Sequence, residues 1–186
     1  MLVHCLPLTE VAPPARAALI AEAAAIFYET ALVKSFSSES EKSAFYARWF
    51  GNYLNADPGA FFLALNEAGG VAGYLAGCVH SFSGSAATIR NAIAFFTPAF
   101  CAALRDYPSH FHINVAPGLQ RQGIGKRLIA RFSSLCAEAG SKGIHVATGA
   151  ASPAVNFYKA CGFVPFPLAE FGAGLAVLTR SLSKRT

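Results

Sequence analysis

Apolar positions recur along this chain with two periods, and each change of period marks an element. Leu2 to Leu6 reads as a first strand closed by Pro7. Pro13-Pro14 opens an alanine-rich helix that runs to about Leu32, with the prolines in the first turn where their missing N–H does no harm. Ser37-Ser38-Glu39-Ser40-Glu41 supplies capping residues and acids for a second helix through about Leu54, which ends before Asp57-Pro58-Gly59. Phe61 to Asn66 and Val71 to His80, separated by Glu67-Ala68-Gly69-Gly70, form a β-hairpin pattern. Phe82 to Pro108 reads as a helical insertion, with an apolar run from Ile89 to Leu104 broken by Thr97-Pro98.

The second half alternates more plainly. His110 to Val115 is a strand, Pro117-Gly118 a turn and Gln120 to Gly125 a glycine-containing loop. Ile124, Leu128, Phe132, Leu135 and Ala139 then recur at helical spacing up to Gly140, and Ser141-Lys142-Gly143 stops the helix. Ile144 to Thr148 is a strand, Ser152-Pro153 caps a short helix through Cys161, Gly162-Phe163 turns into another strand, and Ala173 to Ser181 supplies a last one. An antiparallel hairpin half followed by β-α-β pairing predicts a mixed-sheet α/β domain, one unit over 1–186 with the insertion at 82–108.

Composition limits the classes open to such a domain. The chain of 186 residues is 54% hydrophobic and 13% charged, which excludes disorder and coiled coil and raises a membrane span as a question. The longest uncharged stretch, Ala68 to Ile89, holds five glycines, three serines and His80, unlike a span. Met1-Leu2-Val3-His4-Cys5 has no basic leader region, so the expected compartment is the cytoplasm. Five scattered cysteines (Cys5, Cys78, Cys101, Cys136, Cys161) without a C-x-x-C read as reduced core residues, with no metal site.

The net charge of +5 is unevenly spread. No acid lies between Asp106 and Glu138, while Arg121, Lys126, Arg127 and Arg131 all do, giving a local anion-attracting patch. Arg180, Lys184 and Arg185 read as a solvated terminal group, and no nucleic-acid-binding pattern accompanies either set. Gln120-Arg121-Gln122-Gly123-Ile124-Gly125-Lys126 stands between a strand and a helix, where unpartnered N–H groups and the helix dipole outline a pyrophosphate cradle. It is not a P-loop, because Arg127 follows Gly125-Lys126 and Gln120 replaces the first glycine. It is not a dinucleotide fingerprint either: Leu128 replaces the third small residue, and no acid falls between Glu138 and Glu170.

His112-Ile113-Asn114-Val115-Ala116-Pro117 followed by Gln120-x-x-Gly123-x-Gly125 resembles the acetyl-CoA signature of the GNAT superfamily of N-acetyltransferases. Ala154-x-x-x-Tyr158-x-x-x-Gly162-Phe163 resembles its companion motif, and Tyr107 to Ile113 is also similar to the acetyltransferase-like domain of O-GlcNAcases. The resemblance implies a mixed, mostly antiparallel seven-stranded sheet, helices on both faces, and parallel central strands splayed at the cofactor. It implies that acetyl-CoA pairs its pantetheine arm with Ile113, Asn114 and Val115 and sets its pyrophosphate on Arg121, Gln122, Gly123, Ile124, Gly125 and Lys126. The implied activity is acetyl transfer by direct attack of a primary amine, on a small molecule or an exposed amino group, with Tyr158 returning a proton to the leaving thiolate. Phenol and thiol differ by about two pKa units, near ~10 and ~8.5.

No carboxylate lies on the strand before the loop, so the candidate base is His112, with His110 second; an imidazole near ~6.5 suits an ammonium at neutral pH. Both fall with Asn114 on one face by two-residue alternation, opposite Phe111, Ile113 and Val115. Ala151 stands where many relatives place an Asn that contacts the cofactor. Together with the missing carboxylate it keeps a second reading in play, a catalytically silent acyl-CoA-binding or protein-interaction module of the same fold. Phe45, Tyr46, Trp49, Phe50 and Tyr53 recur along the second helix, either as core or as the border of the acceptor site. A homodimer and the identity of the acceptor are left open.

Overall fold

The computed structural model describes residues 3–167 and 174–182. Leu2, Ala173, Lys184 and Arg185, on which some of the expectations above fall, lie outside them. The strands are β1 (His4–Pro7), β2 (Phe61–Leu65), β3 (Val71–Cys78), β4 (Ser109–Val115), β5 (Gly143–Gly149), β6 (Val164–Pro165) and β7 (Leu175–Ser181). They form a seven-stranded sheet in the order β1-β2-β3-β4-β5-β7-β6. The recorded pairs are antiparallel except β4 with β5, which is parallel and registered at Ser109↔Ile144 and His110↔His145. The helices are α1 (Pro13–Thr30), α2 (Glu39–Tyr46), α3 (Asn52–Ala56), α4 (Ala87–Ala92), α5 (Pro98–Ala103), α6 (Ile124–Glu138) and α7 (Ala154–Ala160).

The chain groups into two compact units, one gathering residues up to Gly77 with His112–Phe132 and the other Cys78–Phe111 with the chain from Ser133 on. In the first unit the local signals act as expected. Pro13 and Pro14 open α1, and Ser38 Oγ accepts from the Glu41 amide at 3.1 Å while Glu41 Oε2 accepts from the Ser37 amide at 2.7 Å. The second helix departs from its expected single run: Ala47–Gly51 forms a π-helical turn that joins α2 to α3. Asn66 Oδ1 accepts from the amides of Ala68 and Gly70, Gly69 takes φ +84°, and Glu22 Oε2 accepts from the Val71 amide at 2.8 Å, which closes the hairpin and ties it to α1.

Alternation along β3 sends Tyr74 to one face and Gly73, Leu75 and Gly77 to the other. Gly77 is the contact point for α6: a Cβ there would run into the Phe132 ring and stand 2.8 Å from the Ala60 carbonyl oxygen. The buried stripe of α6 is Ile124, Leu128, Ile129, Phe132 and Cys136 rather than one ending in Leu135 and Ala139.

In the second unit the apolar surplus of the insertion becomes core. Thr97 Oγ1 accepts from the Phe100 amide at 3.2 Å and Pro98 starts α5, so the expected break separates two short helices. Phe100, Leu104 and Val177 are buried together, with Phe82, Phe95, Phe96, Tyr107 and Phe166 packed around them. Gly140 at φ +75° ends α6. The five cysteines carry no disulfide. Among the described residues, no helix is long and apolar enough to cross a membrane.

Gly77→Ala is expected to cost about 1–3 kcal/mol, because Phe132 must leave its rotamer or α6 must lift from β3. Urea unfolding of the variant against the parent measures this, and an unchanged midpoint would mean the helix has slack at that point.

Candidate active site

Two-residue alternation on β4 holds as expected where contacts are seen. Asn114 Nδ2 donates to Tyr74 Oη at 2.8 Å, and Tyr74 Oη lies 3.3 Å from His112 Nδ1, so His112 and Asn114 share a face with a tyrosine from β3. Tyr74 is fully buried, stacked on Phe61 with centroids 5.7 Å apart and met edge-on by Phe50. The His112 ring lies 5.9 Å from Trp49 and 6.0 Å from Phe27. Phe50 and Tyr53 are core, whereas Phe45, Tyr46 and Trp49 are half-buried. Tyr46 and Tyr28 stack at 6.2 Å and Phe36 packs on Phe45, so the aromatic run of the second helix divides between core and a partly open aromatic surface.

The ordinary imidazole value expected for His112 does not hold. Burial among these rings lowers its pKa to about 4, and the side chain is neutral at pH 7. Tyr74 was legible only as a strand residue; its bond to His112 spans thirty-eight positions and has no local signal.

The turn expected to hold a pyrophosphate has an unusual backbone. Gly118 (φ +81°), Arg121 (φ 61°) and Gly123 (φ +82°) put three left-handed residues into the turn before α6. Such turns aim successive backbone N–H groups into a concavity. A Cβ on Gly123 would meet nothing within 4 Å, so the space beside its backbone is open. Arg127 N–H to Gly123 O, at 3.1 Å, is the recorded helical bond there, and the amides just before it have no carbonyl one turn back. Arg121, Gln122, Lys126, Arg127 and Arg131 are exposed. Open backbone donors, a helix N-terminus and nearby cations fit a phosphorylated cofactor. Ile113, Asn114 and Val115 follow the last registered pair between β4 and β5.

Tyr158, on α7, is buried against Phe111, Phe157 and Phe163 with centroids 5.4–6.0 Å away. Burial raises its phenol above the usual value, with Cys161 adding to the effect, so it keeps its proton throughout the neutral range. Ser152 Oγ accepts from the Ala154 amide at 3.2 Å at the start of this helix, as expected.

His110 is drawn into the core instead. Its Nδ1 bonds Ser81 Oγ, and its ring stacks on His145 at 5.3 Å and against Phe96 at 5.0 Å. Burial, with His145 alongside, holds His110 well below an ordinary imidazole. His145 Nδ1 lies 2.6 Å from the Tyr107 carbonyl oxygen and donates to it, which leaves Nε2 a bare acceptor with no partner among the described residues; burial lowers this histidine to about 4.

Residues 57–165, more than half of the chain, match the model of the acetyltransferase (GNAT) domain. The chain belongs to the GNAT acetyltransferase family. Its fold is that of solved members. The GNAT chain is 19% identical to SsHAT with a TM-score of 0.73, covering 97% of this chain and 98% of that one. It is 20% identical to a GNAT superfamily phosphinothricin acetyltransferase from Sinorhizobium meliloti solved in complex with AcCoA, at a TM-score of 0.60, covering 100% and 91%. Ard1 from Thermoplasma volcanium is 17% identical at 0.60, covering 98% and 99%. Among the described residues of this GNAT enzyme, no cluster of three or more His, Cys, Asp or Glu is arranged to hold a metal.

The three depressed histidines set a pH dependence. His110, His112 and His145 stay neutral in the folded chain, while the unfolded chain binds protons on them below about pH 6.5. Stability from these groups is fully present above that value and falls as pH drops below it, down to about 4 for His112 and His145, because the unfolded state binds more protons in that window. Thermal melts between pH 7 and 4 are expected to show a steadily falling Tm; a flat profile would mean the histidines are protonated without cost.

Proposed function

We propose that this GNAT protein is a cytoplasmic enzyme that transfers the acetyl group of acetyl-CoA to a primary amine on a small molecule or an exposed amino group, with the whole chain acting as one acetyltransferase domain. The observation that carries the reading is the turn of left-handed residues and open backbone donors at the start of α6, directly after β4, inside the segment that matches the GNAT domain. Bound acetyl-CoA supplies a thioester, an acyl donor already activated toward a neutral amine. Ile113, Asn114 and Val115 bind its pantetheine arm by strand-like pairing, and the backbone amides of Arg121, Gln122, Gly123, Ile124, Gly125 and Lys126 bind its pyrophosphate. The exposed cations Arg121, Lys126 and Arg127 draw the anion toward that turn.

Tyr158 holds a proton on Oη at working pH and is the donor for sulfur as it leaves. His112 stands at the acceptor side with Trp49 and Phe27, and the half-buried Tyr28, Tyr46 and Trp49 offer the acceptor an apolar, aromatic wall. His110, sealed between Ser81, Phe96 and His145, supports the β4–β5 pair and takes no proton from the acceptor.

Acetyl-CoA is expected to raise the Tm, in proportion to about 2.7 kcal/mol at a hundredfold excess over Kd. No shift at saturating cofactor would sink the reading. Tyr158→Phe is expected to lower kcat about ten- to a hundredfold while acetyl-CoA still stabilises the variant, followed by CoA release over a panel of amines. Cofactor binding with no CoA release from any amine would favour the silent acyl-CoA-binding module, the reading that Ala151 raises.

A further inference from the structure

Tyr74 stands between two hydrogen-bonding partners whose chemistry dictates the direction of both bonds. Asn114 Nδ2 is a donor only, so at 2.8 Å it occupies a lone pair of Tyr74 Oη. The Tyr74 hydroxyl hydrogen then needs an acceptor, because the residue is fully buried and an unmade bond there is costly. Among the described residues that acceptor is His112 Nδ1, at 3.3 Å. A neutral imidazole whose Nδ1 accepts must carry its hydrogen on Nε2. No hydrogen bond from a described residue reaches His112 Nε2, and His112 is half-buried where His145 is fully buried. The groups facing His112 add no competing charge: α1 contributes Phe27 and the π-helical turn Trp49, neither of which titrates, and β3 contributes Tyr74 itself. Burial alone accounts for the shift of this histidine.

We propose that Tyr74 is a positioning residue that fixes His112 in the Nε2–H tautomer, so that His112 meets the reactants as a hydrogen-bond donor and the acceptor amine has to arrive uncharged. This rests on the acetyl-transfer reading above. A neutral histidine N–H is suited to polarising a carbonyl and meeting the negative charge that grows on its oxygen. In the step that follows, the amine nitrogen bonds the thioester carbon and the carbon–sulfur bond breaks. Sulfur takes the Tyr158 proton, the nitrogen sheds its surplus proton to solvent, and solvent restores Tyr158. The products are the amide and free CoA. The acceptor class this favours is a weakly basic aromatic amine, already neutral at working pH and matched to the aromatic surface of Tyr28, Tyr46 and Trp49.

Histidine-¹⁵N NMR of the full chain without substrate decides the tautomer. The expected spectrum at pH 7 has the bare nitrogen of His112 at Nδ1, and Tyr74→Phe moves it toward a mixture. A bare Nε2 in the parent, or no change in the variant, overturns the proposal. The paired kinetic readout is kcat/KM against pH. With an alkylamine it climbs about tenfold per pH unit below the amine's own pKa, and with a weakly basic aromatic amine it is flat across neutral pH. A histidine-like inflection in the aromatic-amine profile also overturns it. Failure of every amine to be acetylated would defeat the acetyltransferase reading alone, since the NMR result still decides the tautomer.

Discussion

The constraint on which the rest of this protein depends is the two-residue alternation of β4. A strand that is covered on both faces must assign each side chain to one of them, and a shift of one residue would exchange the two sets. Here His112 and Asn114 meet Tyr74, while Phe111 meets Tyr158 and Phe163. The same seven residues also supply the parallel register with β5, at Ser109 and His110, before the strand runs on to Val115. One short strand thereby serves pairing, core and candidate chemistry together.

Close packing turns that geometry into electrostatics. Gly77 lets Phe132 of α6 lie directly on β3, and Phe50 and Phe61 wedge Tyr74 in place from the same strand's other face. Rings packed this tightly exclude water, and a histidine among them is favoured neutral. His112 therefore enters the chemistry as a neutral ring whose role is decided by hydrogen bonding rather than by its intrinsic basicity. The histidines of the second unit follow the same rule with another outcome: His110 and His145, enclosed by Phe82, Phe96 and Phe100, belong to the core.

Much of this was legible in the chain. The cap at Ser38, the break at Thr97-Pro98, the prolines that open α1, the turn glycines Gly69, Gly118, Gly123 and Gly140, and the alternation of β4 are local signals, and each stands where its chemistry requires. The glycine turn before α6 was readable for the same reason, since a turn and a helix start are made by neighbours in sequence. The π-helical turn inside the second helix was not readable, nor was the conversion of Ile89 to Leu104 into the core of a unit that includes Val177 and Phe166. Both depend on what packs against the segment.

The sequence by itself determined the elements, their order, the family signature and which residues of β4 share a face, because these follow from backbone sterics, capping and period. Tertiary structure alone decided that His110 is core while His112 is half-buried, that burial favours both as neutral rings, and that the hydroxyl of Tyr74 lies against His112 Nδ1. Those properties come from desolvation and from hydrogen bonds between residues about thirty to forty positions apart, and no local pattern in a chain encodes what will be brought beside an imidazole.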